Sequence, residues 1–256
     1  MSNYRLFAPW VLIGCLLVTG AMPGFATGPN QAEAELPESN FFAAMTARAI
    51  GPAAMSGRIT SIEAVASDPD RIYVGTAAGG VWYSANGGLT WEPRFDDQAV
   101  ASIGDLAIHQ QAPDVIWVGT GEGNPRNSVS VGNGVYRSRD GGRTWSHVGL
   151  EATRHIHRVI LHPDNPEVAW VAALGSVWSA NEERGVFKTV DGGATWEKVL
   201  YVDENTGACD LVIDPSNPDK LIAATWEFRR LPWSFQSGGP GSGLWVTHDG
   251  GESWQR

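Results

Sequence analysis

The sequence predicts an all-β protein, a β-propeller made of four-stranded antiparallel blades, and three observations support this. A turn motif of the form Ser/Thr-x-Asp/Asn-Gly-Gly-x-Thr/Ser-Trp occurs four times and ends at Trp91, Trp145, Trp196 and Trp254. A glycine and an apolar or aromatic pair precede each copy, and two apolar runs separated by a proline-containing turn lie further upstream. Glycine (31 residues) and tryptophan (12 residues) are abundant, which is typical of short strands joined by tight turns. A repeat of about 50 residues with four short strands is typical of a propeller blade.

Each repeat contains the same elements in the same order. In the first repeat, the apolar run over residues 59–65 predicts the inner strand, a proline-containing turn follows at residues 68–70, and residues 72–76 predict the second strand. The third strand begins at Val81, and the fourth begins at Trp91 after the Gly-Gly turn. The inner strands of the later repeats are predicted at residues 103–108, 156–161 and 209–213. Because short turns join these strands, they are expected to pair antiparallel.

The four repeats divide the region 51–256 into blades. Their predicted bounds are about 57–99, 100–152, 153–206 and 207–256. The fourth repeat stops just after Trp254, before its outer strand. We therefore expect an incomplete ring, with further blades supplied by a longer parent chain, because an open ring leaves an unpaired sheet edge.

The first residues have the pattern of a secretion signal. Arg5 precedes an apolar run over residues 7–18, and small residues follow at 21–26. This pattern predicts a signal peptide over residues 1–26, followed by a linker over residues 27–50. The apolar run is too short to cross a membrane, and no later run is long enough, so the sequence predicts no transmembrane segment.

Two cleavage modes fit this segment. Residues 12–15 match a bacterial lipoprotein box ending at Cys15, but apolar residues continue after the cysteine. Simple cleavage near Ala26 is therefore favoured over lipoprotein anchoring, and the predicted location is extracytoplasmic, either periplasmic or secreted. Cleavage leaves Cys209 alone, so it is interpreted as a small buried hydrophobe without a disulfide.

Charge and ligand patterns restrict the partners. The formal net charge is −10, whereas a general nucleic-acid binder carries a basic face, so nucleic acid is not expected as a partner. His155 and His157 alternate along a predicted strand and could both contact a metal. No third ligand is evident, so a structural role is favoured and neither a metal nor another cofactor is expected.

The Gly-Gly turn has a local structural explanation. The Asp or Asn side chain can accept backbone N–H groups of its own turn, the glycines permit positive φ, and the Ser/Thr hydroxyls add further bonds. We expect each tryptophan to pack on its own blade. The residues with this structural role are Asn86, Trp91, Asp140, Trp145, Asp191, Trp196, Asp249 and Trp254.

The turn motif resembles the Asp-box, or bacterial neuraminidase (BNR) repeat, over about residues 51–256. This repeat occurs in sialidases, xyloglucan-cleaving glycoside hydrolases, the sortilin N-terminal domain and photosystem II assembly propellers. Longer segments resemble bacterial secreted proteins described as sortilin-N-terminal-like or BNR-repeat glycosyl hydrolases; they are residues 118–127, 181–186, 232–235 and 238–243. The resemblance implies the fold and says little about function.

The catalytic residues of these families are mostly not matched at the corresponding positions of this sequence. The resemblance to xyloglucan-cleaving enzymes implies a catalytic aspartate in the stretch 75–80, where Ala77 stands instead. Glycoside hydrolysis normally needs two carboxylates, so this departure weakens the hydrolase interpretation. The sialidase Arg-Ile-Pro motif is represented only by Arg58-Ile59-Thr60.

The longest insertions fall between the second and third strands of their blades. They are residues 121–133, 174–184 and 226–241, and blade topology places them all on one face, where binding usually occurs. The candidate binding residues are Arg58, Glu122, Asn124, Arg126, Asn127, Trp178, Glu183, Arg184, Trp226, Arg229, Arg230 and Trp233. The structural alternatives are that Trp226 and Trp233 only anchor their loop to its blade, and that Glu182 and Glu183 are solvated or paired with Arg184.

Two functions remain open. The first is a non-catalytic exported scaffold that binds a protein or peptide through the long loops, and we favour it because the loops are rich in Trp and Arg. The alternative is a glycoside hydrolase, xyloglucanase- or sialidase-like, with Glu122 as a weak candidate acid and the rest of the site in other blades.

Overall fold

A computed structural model describes residues 57–256 and contains sixteen strands in that range. The predicted signal peptide and linker lie outside the described residues and stay predictions. The first sheet consists of β1 (Ile59–Val65), β2 (Asp68–Thr76), β3 (Val81–Ser84) and β4 (Glu92–Pro93). The second consists of β5 (Ile103–Ile108), β6 (Ile116–Thr120), β7 (Val135–Ser138) and β8 (Ser146–His147). The third consists of β9 (Ile156–Leu161), β10 (Ala169–Ala173), β11 (Gly185–Thr189) and β12 (Glu197–Leu200). The fourth consists of β13 (Thr206–Asp214), β14 (Asn217–Leu231), β15 (Ser234–Ser237) and β16 (Gly243–Thr247).

Strand pairing confirms the predicted fold class. The first three sheets are antiparallel and follow chain order from the inner to the outer strand. In the fourth sheet, β13 pairs with β14, and β14 pairs with both β15 and β16. The outer position of this sheet is represented by a single bridge between Val246 and Gln255. A single-turn 3-10 helix, Glu151–Thr153, connects the second and third sheets.

One predicted loop is a strand extension. We expected residues 226–241 to form a loop, but β14 continues to Leu231 and returns as β15. The physical reason is aromatic packing within this hairpin. Trp226 stacks on Phe228 with ring centroids 4.6 Å apart, and Phe235 meets Trp226 edge-on at 5.6 Å. Such pairs contribute about 0.5–1.5 kcal/mol each beyond area burial, which favours extended strands over an irregular loop.

The hydrophobic core lies between successive sheets. One cluster joins the first and second sheets around Tyr73 and Leu106, a second joins the second and third around Trp117 and Val159, and a third joins the third and fourth around Trp170. In the part of the chain that the structure describes, each middle sheet packs between two neighbours, and each end sheet packs against one.

The Asp-box turns are closed by their own side chains. Asp140 Oδ1 accepts the N–H groups of Arg143 and Thr144 at 3.0 and 2.9 Å, and Thr144 Oγ1 donates to Asp140 Oδ2 at 2.7 Å. Gly141 and Gly142 have φ of 71° and 78°, a conformation that glycine adopts without steric cost. The same side-chain bonds recur in the third and fourth boxes.

The prediction that each Asp-box tryptophan packs on its own blade is wrong for the second and third boxes. The Trp145 indole N–H donates to the Arg94 carbonyl at 2.6 Å, and the Trp196 indole N–H donates to the Val148 carbonyl at 2.6 Å. Both carbonyls belong to the preceding blade. A half-buried indole N–H needs an acceptor, and the stacked neighbour supplies it, so these tryptophans link adjacent blades.

The inner strands also link adjacent blades. Each inner-strand ladder has an irregularity at the same place, which brings Ser61, Asp105, Arg158 and Asp210 to equivalent positions. Asp105 Oδ2 accepts the Val159 N–H of the next inner strand at 2.8 Å, and Arg158 Nε donates to Asp210 Oδ1 at 2.8 Å. Each bulge interrupts the ladder just before these residues, and the Asp105 and Arg158 side chains reach the next blade.

Candidate functional site

The structure joins the three long insertions into one surface, which we call the long-loop face and define as residues 121–133, 174–184 and 226–241. The Arg230 side chain donates to Asn127 Oδ1 at 2.7 Å, and its backbone N–H donates to the Val177 carbonyl at 2.8 Å. Val129 packs against an apolar cluster formed by Leu174, Val177 and Phe228. The insertions of three successive blades therefore contact one another directly.

Arg184 organises the centre of this face. The residue is 1% exposed, and its guanidinium donates to Asn181 Oδ1 and to the carbonyls of Asn205, Ser176 and Ser179 at 2.5–3.0 Å. Burial, and then the nearby Arg229 charge, lower the pKa of Arg184 to about 10. The guanidinium of Arg184 therefore donates to backbone and side-chain amide oxygens, and not to the carboxylates of Glu182 or Glu183.

The two hairpin tryptophans have different environments. Trp226 is half-buried, stacks on Phe228 and donates its indole N–H to Ser237 Oγ at 3.2 Å, so it pins the hairpin. Trp233 stands at the hairpin turn and is 81% exposed. The Arg230 guanidinium lies 5.2 Å from the centroid of the Phe235 ring on the same hairpin. The hairpin therefore presents an aromatic and cationic surface.

Glu122 is paired and enclosed. Its carboxylate has no exposed area, and Arg58 donates to both oxygens, each at 2.5 Å. The hydrogen bond to Glu122 raises the pKa of Arg58. Arg58 therefore holds both carboxylate oxygens of Glu122 in a bidentate, charge-assisted pair.

Ala77 is likewise buried, at 2% exposure, and its N–H donates to the Arg58 carbonyl at 2.9 Å. A methyl side chain at this place supplies no acid or base.

The histidine pair is used in backbone contacts. His155 is buried and its Nδ1 lies 2.9 Å from the Glu122 carbonyl oxygen; burial lowers the pKa of His155 to about 4, so its ring is neutral near pH 7. His157 contacts the Cys209 carbonyl, and a side chain at Gly123 would overlap the His157 ring. Among residues 57–256, no group of three or more metal-ligating side chains comes together.

The other candidate residues lie in and around the face. Asn124 and Arg126 are exposed on the first insertion, and Trp178 and Glu183 are half-buried on the second. Sequence reasoning missed Asn205, which accepts from Arg229 at 2.9 Å through its side chain and from Arg184 through its carbonyl. No local motif marks Asn205, because its partners lie on other elements.

Phe228 and Phe235 were also missed, although their alternation with Trp226 and Arg230 is a pattern that predicts strands.

None of the helices within the described range is long and apolar enough to cross a membrane.

Comparison with known proteins supports the fold. A family model described as "Sortilin, neurotensin receptor 3" (Sortilin-Vps10) matches residues 133–256. The chain is 22% identical over 218 residues to an oligoxyloglucan-reducing end-specific xyloglucanase of Emericella nidulans, covering 73% of this chain and 25% of the relative. It is 25% identical over 208 residues to a xyloglucanase of a Paenibacillus species, covering 72% of this chain and 19% of the relative.

Solved structures give the same result. A GH74 enzyme of Niastella koreensis aligns with a TM-score of 0.57 and 22% identity, over 77% of this chain and 29% of that chain. The GH74 xyloglucanase of Xanthomonas campestris aligns with a TM-score of 0.54 and 17% identity, over 76% of this chain and 29% of that one. The chain thus spans a quarter or less of the length of these curated relatives. Its repeats, its sheets and these similarities agree: the chain is an Asp-box (BNR) repeat β-propeller that resembles sortilin-like and glycosyl hydrolase-like proteins.

Proposed function

We propose that the long-loop face binds polysaccharide, in a protein of glycoside hydrolase type. The observation that carries the proposal is the exposed Trp233 at the turn of a hairpin whose strands are held together by contact between the Trp226 and Phe235 rings. A flat apolar ring held on a rigid element can stack on the apolar face of a sugar ring, and ordering it costs little side-chain entropy. The xyloglucanases among the relatives make a polysaccharide the first ligand to test.

In this proposal the described residues bind and do not form a complete catalytic pair. Ala77 takes the place where the resemblance puts an aspartate, and Glu122 is held by Arg58 on both oxygens. Hydrolysis by the usual mechanism needs an acid and a second carboxylate about 5–10 Å apart. In this proposal neither Glu122 nor position 77 supplies a free carboxylate for hydrolysis.

A second candidate is a protein or peptide ligand on the same face. It is favoured by one observation, the combination of an exposed tryptophan with the partly exposed Arg229 and Arg230, because Trp and Arg are the residue types most enriched at protein-binding hot spots. The sortilin-type family match is compatible with this candidate.

We also infer that the protein is exported. The inference rests on the sequence pattern of residues 1–26, and N-terminal sequencing of the protein from its native cell fractions would test it. A mature chain that starts near residue 27 in the extracytoplasmic fraction is the expected result, and a cytoplasmic chain that keeps Met1 would contradict it.

Affinity gel electrophoresis with soluble xyloglucan tests the polysaccharide proposal. We expect the chain to be retarded and Trp233→Ala to weaken binding at least tenfold, which corresponds to about 1.4 kcal/mol. Leu89→Ala is the matched control, because Leu89 is 84% exposed on an Asp-box turn, away from the face. The second candidate would replace this proposal if two results were obtained. None of a panel of neutral and charged polysaccharides would retard the chain, and the chain would bind peptides tightly through Trp233.

A further inference from the structure

Three arginines on the long-loop face have no acidic partner. No carboxylate oxygen of the described residues lies within 4.0 Å of the guanidinium nitrogens of Arg126, Arg229 or Arg230. Carboxylates outnumber arginines and lysines in this chain of formal net charge −10. Among the other arginines of the described residues, Arg71 and Arg137 pair with carboxylates, whereas Arg143 does not.

Two acidic residues near this site hold backbone groups. Glu227 Oε2 accepts the Gly241 N–H at 2.9 Å, and Asp203 Oδ1 accepts the Asn205 N–H at 2.8 Å. These two carboxylates therefore close backbone turns and do not pair with Arg229 or Arg230. The guanidinium donors that Asn205 and Asn127 do not use are left for another group.

The arginines are held in place by neutral groups. Arg229 donates to Asn205 Oδ1 at 2.9 Å, and Arg230 donates to Asn127 Oδ1 at 2.7 Å while its guanidinium covers Phe235. A guanidinium has five N–H donors, so one bond to an amide orients it and leaves most of its donors and its whole charge available. Arg229 also lies close enough to the buried Arg184 to add to the effect of burial in lowering the pKa of Arg184, while Asp203 acts in the opposite direction.

The geometry distributes the charges along the hairpin. Neighbouring residues of a strand point to opposite sides, so Arg229 and Arg230 flank the hairpin, with Trp233 at its turn. Arg126 directly precedes Asn127, which Arg230 contacts, so the backbone of Arg126 lies near the hairpin. A ligand that pairs with both Arg229 and Arg230 must reach both sides of the hairpin, which a chain with repeated anionic groups can do and a single anionic group cannot.

We propose that the long-loop face binds an acidic polysaccharide, in which uronic acid carboxylates pair with Arg126, Arg229 and Arg230 and a sugar ring stacks on Trp233. This inference rests on the proposed polysaccharide function and specifies its ligand class. Arginine pairs with carboxylates through short, charge-assisted bonds that can be bidentate, and such pairing at an exposed site weakens with salt.

Affinity electrophoresis and isothermal titration with the full chain test it, with three probes: polygalacturonate, its highly methyl-esterified form and neutral xyloglucan. We expect polygalacturonate to bind at least tenfold more tightly than the esterified form, and 0.5 M NaCl to abolish the difference. Arg126→Gln is the clean variant, because Arg126 is exposed and makes no hydrogen bond to the described residues, and we expect it to weaken polygalacturonate binding about threefold to tenfold. Arg230→Gln should weaken it further, with thermal melting reported alongside.

Arg143→Gln is the matched control, since Arg143 is an exposed arginine of an Asp-box turn that also lacks a carboxylate partner. An equal loss in this control would mean that net charge alone drives binding and would overturn the inference. Equal affinity for poly-glutamate and polygalacturonate would overturn it too. Tighter binding of xyloglucan than of polygalacturonate would overturn the inference of an acidic ligand and leave the proposed polysaccharide function standing. If the chain bound neither polysaccharide, both the inference and the proposed function would be wrong.

Discussion

At the scale of single residues, identical side chains do different work according to their neighbours. Trp226 and Trp233 lie seven positions apart on one hairpin, yet the first pins the hairpin and the second is exposed. Glu122 is on the long-loop face but is enclosed by Arg58, whereas Glu182 is exposed. Residue type alone therefore indicates where chemistry is possible, and burial with partners decides whether it is available.

The Asp-box carboxylates should make stability depend on acid pH. Hydrogen bonds from Thr195 and Thr189 lower the pKa of Asp191 to about 2. A lowered pKa means that the contribution is complete above the unfolded value of about 3.9 and is lost as the pH falls towards 2. We expect the melting temperature of the wild type to exceed that of Asp191→Asn at pH 6, and the difference to shrink between pH 4 and 2, as measured by circular dichroism.

Glu197→Gln is the control for that experiment, because Glu197 is an exposed carboxylate in the same region and makes no side-chain hydrogen bond with the described residues. A difference in melting temperature between the wild type and Asp191→Asn that is constant from pH 6 to pH 2 would contradict the role of the ionised carboxylate.

At the scale of elements, buried polar anchors shape the long-loop face. Arg184 satisfies the carbonyls of Ser176, Ser179 and Asn205 and the side chain of Asn181, which ties the second insertion to the segment just before β13. The apolar cluster around Phe228 then packs the hairpin over this anchor, with the Arg184 guanidinium 5.1 Å from the Phe228 ring centroid. The face is thus built from contacts between blades.

Loss of this anchor should destabilise the protein strongly. Arg184→Leu leaves several buried carbonyls without a donor, and each such group costs about 1–3 kcal/mol. We expect the free energy of unfolding to fall by about 3 kcal/mol or more in urea titration. Arg184→Lys should recover only part of it, since an ammonium lacks the planar fork that reaches four acceptors. A change below 0.5 kcal/mol for Arg184→Leu would show that the anchor is dispensable.

The interblade indole bonds permit a milder test. Trp196→Phe keeps an aromatic ring against Trp117 but removes the donor to the Val148 carbonyl, so we expect a loss of about 1 kcal/mol. Trp91→Phe is the comparison, because Trp91 is 38% exposed and makes no hydrogen bond to the described residues through its indole, and it should change stability less. Equal losses in the two variants would argue against the interblade bond as the cause.

At the scale of the whole molecule, the described region is a stack of similar sheets in which each unit contacts its neighbours. Stability in such architectures is approximately a sum of unit and interface contributions. Exposed apolar side chains occur on both end sheets, including Ile62 on β1, at 61% exposure, and Leu244 on β16, at 65%. Such surfaces promote association when they are left in water.

We therefore expect the double variant Ile62→Lys with Leu244→Lys to self-associate less than the wild type in sedimentation velocity experiments. Because both side chains are exposed, the free energy of unfolding should stay within about 0.5 kcal/mol. Leu89→Lys, a charge change at an exposed residue of the β3–β4 turn and not on a strand, should leave self-association unchanged. If Leu89→Lys reduced association as much as the double variant, the cause would be net charge.

The sequence alone determined the repeat, the turns and the strand order, because these depend on interactions between residues close in the chain. The Gly-Gly turn closes with bonds that span at most four residues, and alternating apolar runs predict strands directly. Even the hairpin of residues 226–237 had a readable alternation, although we predicted a loop there.

Only the tertiary structure decided which residues meet across blades. The Trp145 and Trp196 bonds to the preceding blade, the pairing of Arg58 with Glu122 and the contact of Asn127 with Arg230 join residues 48 to 103 positions apart. No local pattern encodes such pairs, because they depend on how each sheet stacks on the next. The charge left on Arg126, Arg229 and Arg230 has the same origin, since it depends on which carboxylates the fold directs elsewhere.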